Sequence, residues 1–177
     1  MHLSSYPYRF VQRVDDADCQ ALPYLQYKLL YTFKSPVSHQ WYWVWVEVYD
    51  NDFYAVKFHL KAHRDSANKY SIMTGLNEAR PVICTCIAIM DEIAHINPRS
   101  SFGFIGASMK EESSYMTKRF RIYSLFMATY FAETVFEHQM MMDKSAYLLV
   151  RKSELEKNPE LLTTLSRNFN QMYDYFD

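Results

Sequence analysis

Glycine is nearly absent from this chain: there are three in 177 residues, Gly75, Gly103 and Gly106. That scarcity excludes the usual loops that cradle phosphate through backbone N–H groups. Neither Gly-x-Gly-x-x-Gly nor Gly-x-x-x-x-Gly-Lys-Ser/Thr occurs. The Gly-x-Ser-x-Gly elbow of serine hydrolases is missing as well. Cysteine is scarce too. Cys19, Cys84 and Cys86 are odd in number and lack a Cys-x-x-Cys spacing, which fits free thiols in a reducing compartment better than a disulfide framework. No run approaches the roughly 20 apolar residues that a membrane helix needs. Met1-His2-Leu3-Ser4-Ser5-Tyr6 has neither the basic start nor the apolar core of a signal peptide. A cytoplasmic protein with no membrane association is expected. Excess charge is also lacking: 19 Lys+Arg against 20 Asp+Glu give a formal net charge of -1. Any binding to nucleic acid therefore needs a local basic patch.

Aromatic residues are abundant, at 17% of the chain, from 15 Tyr, 12 Phe and 3 Trp. Tyr and Trp join a large apolar area to a polar tip, so some of these rings are expected to line an interface or groove. With 49% hydrophobic and 22% charged residues, the chain reads as globular. Its length suits one domain that buries roughly 70% of its unfolded surface.

The first seventy-odd residues read as strands. Over 24–33, Leu25, Tyr27, Leu29, Tyr31 and Phe33 share one face at the period of two expected of a half-buried strand. Segments 41–49 and 53–61 flank Asp50-Asn51-Asp52 and form a hairpin. In its first arm Tyr42, Val44, Val46 and Val48 make one face and Trp41, Trp43 and Trp45 the other. In its second arm Tyr54, Val56, Phe58 and Leu60 oppose Lys57, His59, Lys61 and His63. A short strand over 70–74 ends at Gly75, and a largely buried helix runs from Asn77-Glu78-Ala79-Arg80-Pro81 to about Ile96. A strand over 102–107, a helix over 114–133 with Ser113, Ser114 or Thr117 as cap, a strand over 145–151 and a helix over 158–175 follow. The expected fold is α+β: one domain over 1–177, with a mainly antiparallel sheet of five to six strands packed by two to three helices. Residues 1–75 form its strand-rich half, 76–152 a helix-strand-helix-strand half and 153–177 a last helix, whose apolar stripe needs this core or a second subunit.

Four constellations carry candidate chemistry. The strand exit Gly103-Phe104-Ile105-Gly106-Ala107-Ser108 precedes a helix, an arrangement in which backbone N–H groups and the helix dipole can meet an anion. Glu111 and Glu112 oppose that reading, and close packing is the other role for these glycines. Next, Lys118, Arg119 and Arg121 stand near Tyr123, offering cations for a phosphate and a ring for a base. The bland alternative is a solvated basic turn. Third, Lys57, His59, Lys61 and His63 beside Trp41, Trp43 and Trp45 suit single-stranded nucleic acid. Lysine protecting an edge strand explains the same pattern. Last, the histidines and cysteines do not make a metal site: Cys84 and Cys86 point about 200° apart on a helix. His138, with Arg119 and Tyr123, supplies the groups of a metal-independent nuclease. No metal or cofactor is expected.

Phe104 to Ser108, the run Thr117-Lys118-Arg119-Phe120-Arg121-Ile122-Tyr123 and the closing Ser145 to Lys152 together resemble small uncharacterised bacterial proteins of the Bacteroidetes type. The resemblance covers about residues 53–152. Lys118 in the basic run and the insert Lys110 to Glu112 depart from the pattern. The resemblance implies a bacterial accessory protein in which Ser108, Lys118, Arg119, Arg121 and Tyr123 act as one unit, and it implies no activity. The reading is a non-catalytic domain that binds a nucleotide or nucleic acid through Gly106, Ser108, Lys118, Arg119, Arg121 and Tyr123. A homodimer or protein-interaction subunit of a toxin–antitoxin or phage-defence system is the alternative, and the nuclease a third.

Overall fold

A computed structural model describes residues 4–15, 22, 24–70, 75–106, 113 and 115–173. The fold is α+β. Among the described residues, seven strands form one sheet: β1 (Tyr8–Val14), β2 (Leu25–Lys34), β3 (Trp41–Tyr49), β4 (Phe53–Leu60), β5 (Ser101–Ile105), β6 (Phe136–Met141) and β7 (Ala146–Arg151). Four α-helices accompany them: α1 (Ala79–Ile96), α2 (Lys118–Tyr130), α3 (Lys152–Lys157) and α4 (Leu161–Tyr173). The strand order is β1-β2-β3-β4-β5-β7-β6. Every neighbouring pair is antiparallel except β4 and β5, which α1 joins in parallel.

The hairpin pattern places the first core. Tyr42, Val44, Val46 and Val48 of β3 and Tyr54, Val56 and Leu60 of β4 are buried on one face of the sheet. Against them lie Val82, Ile83, Cys86, Ile87, Met90 and Ile93 of α1 and Phe120, Phe126 and Met127 of α2. Burying each such side chain contributes about 1.5–3 kcal/mol before entropy is counted. Thr117 caps α2: its side chain accepts from the Phe120 N–H and donates to the Gly106 carbonyl oxygen 2.7 Å away. On the other face Leu161, Leu165, Phe169 and Met172 of α4 pack on Tyr49, Phe53, Ala55, Ala146, Leu148 and Val150. The stripe of the last helix is thus spent on this chain's own sheet.

Several local expectations need correction. Leu25 does not share a face with Tyr27, because the register shifts between them; Leu25 joins Tyr49 and Phe53 in the second core. The sheet has more strands than the five to six expected: β1 and β6 match none of the expected strands, and β6 alternates too weakly to be read as one. The first helix begins at Ala79 rather than Asn77, α2 spans less than 114–133, and Asn158 and Pro159 precede α4 instead of opening it. The expected strand over 70–74 has only Tyr70 within the described residues, where it lies in a turn. Cys19 lies outside them; Cys84 and Cys86 are buried free thiols.

Two glycines are fixed by packing. A Cβ on Gly103 would stand 2.4 Å from the Phe53 ring. On Gly106 it would stand 2.5 Å from the backbone nitrogen of Phe120, an atom with little freedom to yield. Gly106→Ala is expected to destabilise the chain by about 1–3 kcal/mol through overpacking. Urea unfolding of this variant checks the expectation, and an unchanged midpoint would contradict it.

Candidate functional site

The strongest local concentration of chemistry lies where β4 and β5 part. Their parallel ladder holds Phe53 to Ser101, Tyr54 to Phe102 and Ala55 to Gly103, and goes no further. Ligands of sheets with parallel strands favour the carboxyl ends of such strands. Here a small cavity of about 10 Å³, room for one water-sized molecule, is lined by Glu47, Tyr49, Ala55, Val56, Lys57, Phe104, Ile105, Phe169 and Met172.

The face covered by α4 changes character beyond the end of that helix. Directly opposed residues of an antiparallel pair share a face. Trp45 opposes Lys57 and Trp43 opposes His59 across β3 and β4, while Trp41 opposes Lys34 across β2 and β3. The row therefore runs from Tyr49 and Phe53 under α4, through Glu47 and Lys57, to Trp43, His59 and Trp41. Trp43 and Trp45 are half-buried and Trp41 is 41% exposed. The Lys34 ammonium lies 5.9 Å from the Trp41 ring and that of Lys61 5.8 Å from the Trp43 ring, within the range of cation–π attraction.

Lys57 and His59 are not on an exposed basic strand face, and β4 is not an edge. Strands β1 and β6 hold the edges of the sheet, so edge protection does not account for these residues. The Lys57 Nζ lies 2.9 Å from Glu47 Oε2, which also accepts from the Tyr49 hydroxyl at 2.7 Å. Burial lowers the Lys57 pKa, with the Glu47 carboxylate opposing the shift and Lys28 and Lys69 adding to it. His59 is 3% exposed, and burial lowers its pKa too. Tyr70 folds over both, its ring 5.3 Å from the His59 ring and 5.7 Å from the Lys57 ammonium. Buried, perturbed titratable groups cluster at functional sites, and they occur in structural ion-pair networks as well. Lys61 and His63 are not on the strand at all: β4 ends at Leu60, and both lie in the 3-10 turn Lys61–His63 that follows, Lys61 exposed and His63 half-buried.

The strand exit and the basic run are arranged differently from the expected anion site. Gly106 packs against Phe120, and Ser108 lies outside the described residues. Lys118 and Arg121 are exposed at the start of α2. The Arg119 guanidinium donates to the Tyr70 carbonyl oxygen. Tyr123 offers no face to a base: it is buried, its ring 4.4 Å from that of Phe104 and 6.3 Å from that of Phe58. Burial pushes its hydroxyl pKa far up, making it a poor proton donor. Arg119 is instead tied, through Tyr70, to the Lys57 and His59 group, a link with no signal in sequence spacing.

His138 is held by both ring nitrogens. Nε2 lies 3.0 Å from the Phe131 carbonyl oxygen, which can only accept, so Nε2 carries the hydrogen and Nδ1 accepts from the Tyr147 hydroxyl at 2.7 Å. These bonds tie β6 to β7 and to the end of α2, and the imidazole lacks a spare nitrogen for a general base. Burial raises the pKa of Cys84 and Cys86 and keeps both thiols inert. Among the described residues no group of three or more His, Cys, Asp or Glu is placed to hold a metal ion, and no helix is long and apolar enough to cross a membrane. Comparison with protein-family models, curated protein sequences and solved structures finds no match to this chain.

Proposed function

We propose that the chain is a binding domain for a nucleotide unit, free or within a single strand of nucleic acid, docked on the face that carries Trp41, Trp43 and Trp45. The observation that carries this reading is the row of part-exposed indoles at alternate positions of β3, with Lys34 and Lys61 beside them. Stacking on such rings contributes about 1–3 kcal/mol per base, and adjacent cations take the phosphates. Lys28 and Lys69 reinforce the positive character around Lys57. The local basic patch that a net charge of -1 demands is therefore on this face. Membership of the small bacterial group suggested by the Gly106, Lys118 to Tyr123 and Ser145 to Lys152 pattern, and a cytoplasmic location, belong to the same proposal.

Salt dependence tests it. Affinity for a labelled single-stranded oligonucleotide, followed by anisotropy, is expected to fall steeply as salt rises. Lys34→Glu and Lys61→Glu should each weaken binding and flatten the logarithmic salt slope by roughly 0.7. A free mononucleotide that binds as tightly as the oligonucleotide would assign the site to a small ligand. Binding that ignores salt and both substitutions would sink the proposal.

A second reading has its own observation. On α2, Ile122 and Leu125 are three residues apart and exposed, Leu125 at 68%, on a helix that also exposes Lys118 and Arg121. Such a face favours a protein partner or a second copy, and its association should hold or tighten with salt. Light scattering that reports a monomer at all concentrations and salts would remove the second copy.

A further inference from the structure

His59 has no good way to carry a charge where it stands. It is 3% exposed, and its Nδ1 lies 2.8 Å from the Leu60 carbonyl oxygen, so Nδ1 carries the hydrogen and Nε2 is a bare acceptor. Nε2 is buried without a hydrogen-bond partner. A proton added there becomes a buried charged donor with nothing to receive it. The neighbouring charges do not help. Lys57 lies two residues back on the same face of β4, Lys61 and His63 follow in the 3-10 turn, and Lys69 lies beyond. The Glu47 carboxylate of β3 is engaged by Lys57 and the Tyr49 hydroxyl, and Asp65 pairs with Arg64 at 3.6 Å. Burial lowers the His59 pKa most; the bond to Leu60 opposes the shift, and Lys69 and His63 add to it.

Two rings adjoin the imidazole, and they are held very differently. Trp43, 6.0 Å away, belongs to β3 and is directly opposed to His59 in the β3–β4 ladder. Tyr70, 5.3 Å away, lies in a turn over 67–70. The Lys69 N–H donates to the Ser66 carbonyl oxygen and the Lys69 ammonium to that of Arg64, both at 3.3 Å. From α2, the Arg119 guanidinium donates to the Tyr70 carbonyl oxygen. The ammonium groups of Lys57 and Lys69 lie over the Tyr70 ring at 5.7 and 5.6 Å from its centroid. A turn held by a few such contacts opens at far lower cost than two strands in the middle of a sheet.

We propose that the turn over 67–70 is an acid-released cover: protonation of His59 at Nε2 is accommodated by withdrawal of Tyr70, which brings His59 and Lys57 to solvent. The sign follows from linkage. With Tyr70 in place His59 binds a proton poorly, and with Tyr70 withdrawn it binds one like an ordinary histidine, so falling pH favours the withdrawn state. Below the ordinary histidine value of about 6.5, the withdrawn-to-covered ratio rises by up to about tenfold per pH unit, until His59 titrates under the cover as well. Withdrawal adds the charge of His59 to the face that carries Trp43, with Lys57 beside it. The cover does not depend on what that face binds.

The test is an NMR titration of the full chain without ligand, following the His59 ring and the Tyr70 ring from neutral to acid pH. The Tyr70 signals are expected to move or broaden as the His59 ring titrates. In Tyr70→Ala, the His59 midpoint should rise toward about 6.5, since the cover that depresses it is gone. His59→Leu should make Tyr70 indifferent to pH over the same range. His63 Nδ1 is also buried and unpartnered, so His63→Gln is the control, in which the response of Tyr70 should persist. The parent chain and Tyr70→Ala decide the matter even if His59→Leu fails to fold. An unchanged His59 midpoint in Tyr70→Ala, Tyr70 signals that ignore the titration of His59, or a response lost in His63→Gln would overturn the proposal. Global unfolding before His59 titrates would overturn it too, because the turn would then not be the element that yields. None of these readouts involves an oligonucleotide, so failure here leaves the nucleotide reading standing, and failure of that reading leaves the cover standing.

Discussion

Glu78→Ala is expected to cost about 3–5 kcal/mol of unfolding free energy, the scale for leaving several buried hydroxyls without the charged acceptor they share. Glu78 stands immediately before α1 and is 5% exposed, yet its side chain does not cap that helix. Its carboxylate turns inward. Oε1 accepts from the Ser38 and Tyr42 hydroxyls at 2.7 Å each, and Oε2 from Ser35 at 2.5 Å and Tyr6 at 3.4 Å. One side chain thus ties the first segment, the β2–β3 connection and β3 to the start of α1. Burial pushes its pKa up, but the four hydroxyl bonds outweigh burial and hold it below the ordinary glutamate value. The sign follows: a carboxyl lowered by folding adds stability above its unfolded pKa, and that stability is lost as pH falls through the folded pKa. Urea unfolding at neutral and acid pH checks both parts. The parent chain should weaken more in acid than Glu78→Ala does. A loss under about 1 kcal/mol at neutral pH, the worth of one ordinary hydrogen bond, would contradict the network's role.

Glu47→Ala is expected to have a comparable effect, about 3–5 kcal/mol, because it takes the carboxylate from a buried ammonium. The side chains of Lys57 and Glu47 are only 15% and 7% exposed. Removing both charges is a different experiment. Glu47→Leu with Lys57→Met replaces the pair by apolar groups of similar size and should recover most of the loss, since desolvation of the ions largely offsets their attraction. A double-mutant cycle from thermal or urea unfolding measures this. If the double variant is as unstable as Glu47→Ala, the pair contributes net stability and its burial needs no functional explanation. Recovery of stability together with weakened oligonucleotide binding is the outcome expected of a pair kept for its site.

The outline of the fold was legible where periodicity was strong. Tyr42 to Val48 and Tyr54 to Leu60 alternate cleanly, and their apolar faces are the ones buried under α1 and α2. The stripe from Leu161 to Met172 likewise announced α4. Strand β6 was illegible because Phe136-Glu137-His138-Gln139 carries one buried residue on an edge strand, too little for a period of two to register. Leu25 was misplaced because a bulge leaves no mark in composition. At the candidate site, Lys57, His59 and the tryptophans could be read as one face, since a period of two aligns them. Their burial could not, because it depends on Tyr70, which arrives from outside the hairpin, and on a parallel ladder that ends at Ala55. The glycines misled for a related reason: close packing and phosphate binding require the same missing Cβ, and only the position of Phe120 separates them.

All three tryptophans of the chain lie on the proposed surface, so its occupancy can be read without a label. The most direct measurement is a titration of intrinsic tryptophan fluorescence with oligo-uridine at low salt, with acrylamide quenching before and after saturation. The account predicts that the oligonucleotide quenches the emission by stacking, shields the indoles from acrylamide and is released by added salt. Emission and acrylamide access that stay unchanged while a labelled oligonucleotide binds would place binding elsewhere, and an absence of binding would contradict the account outright.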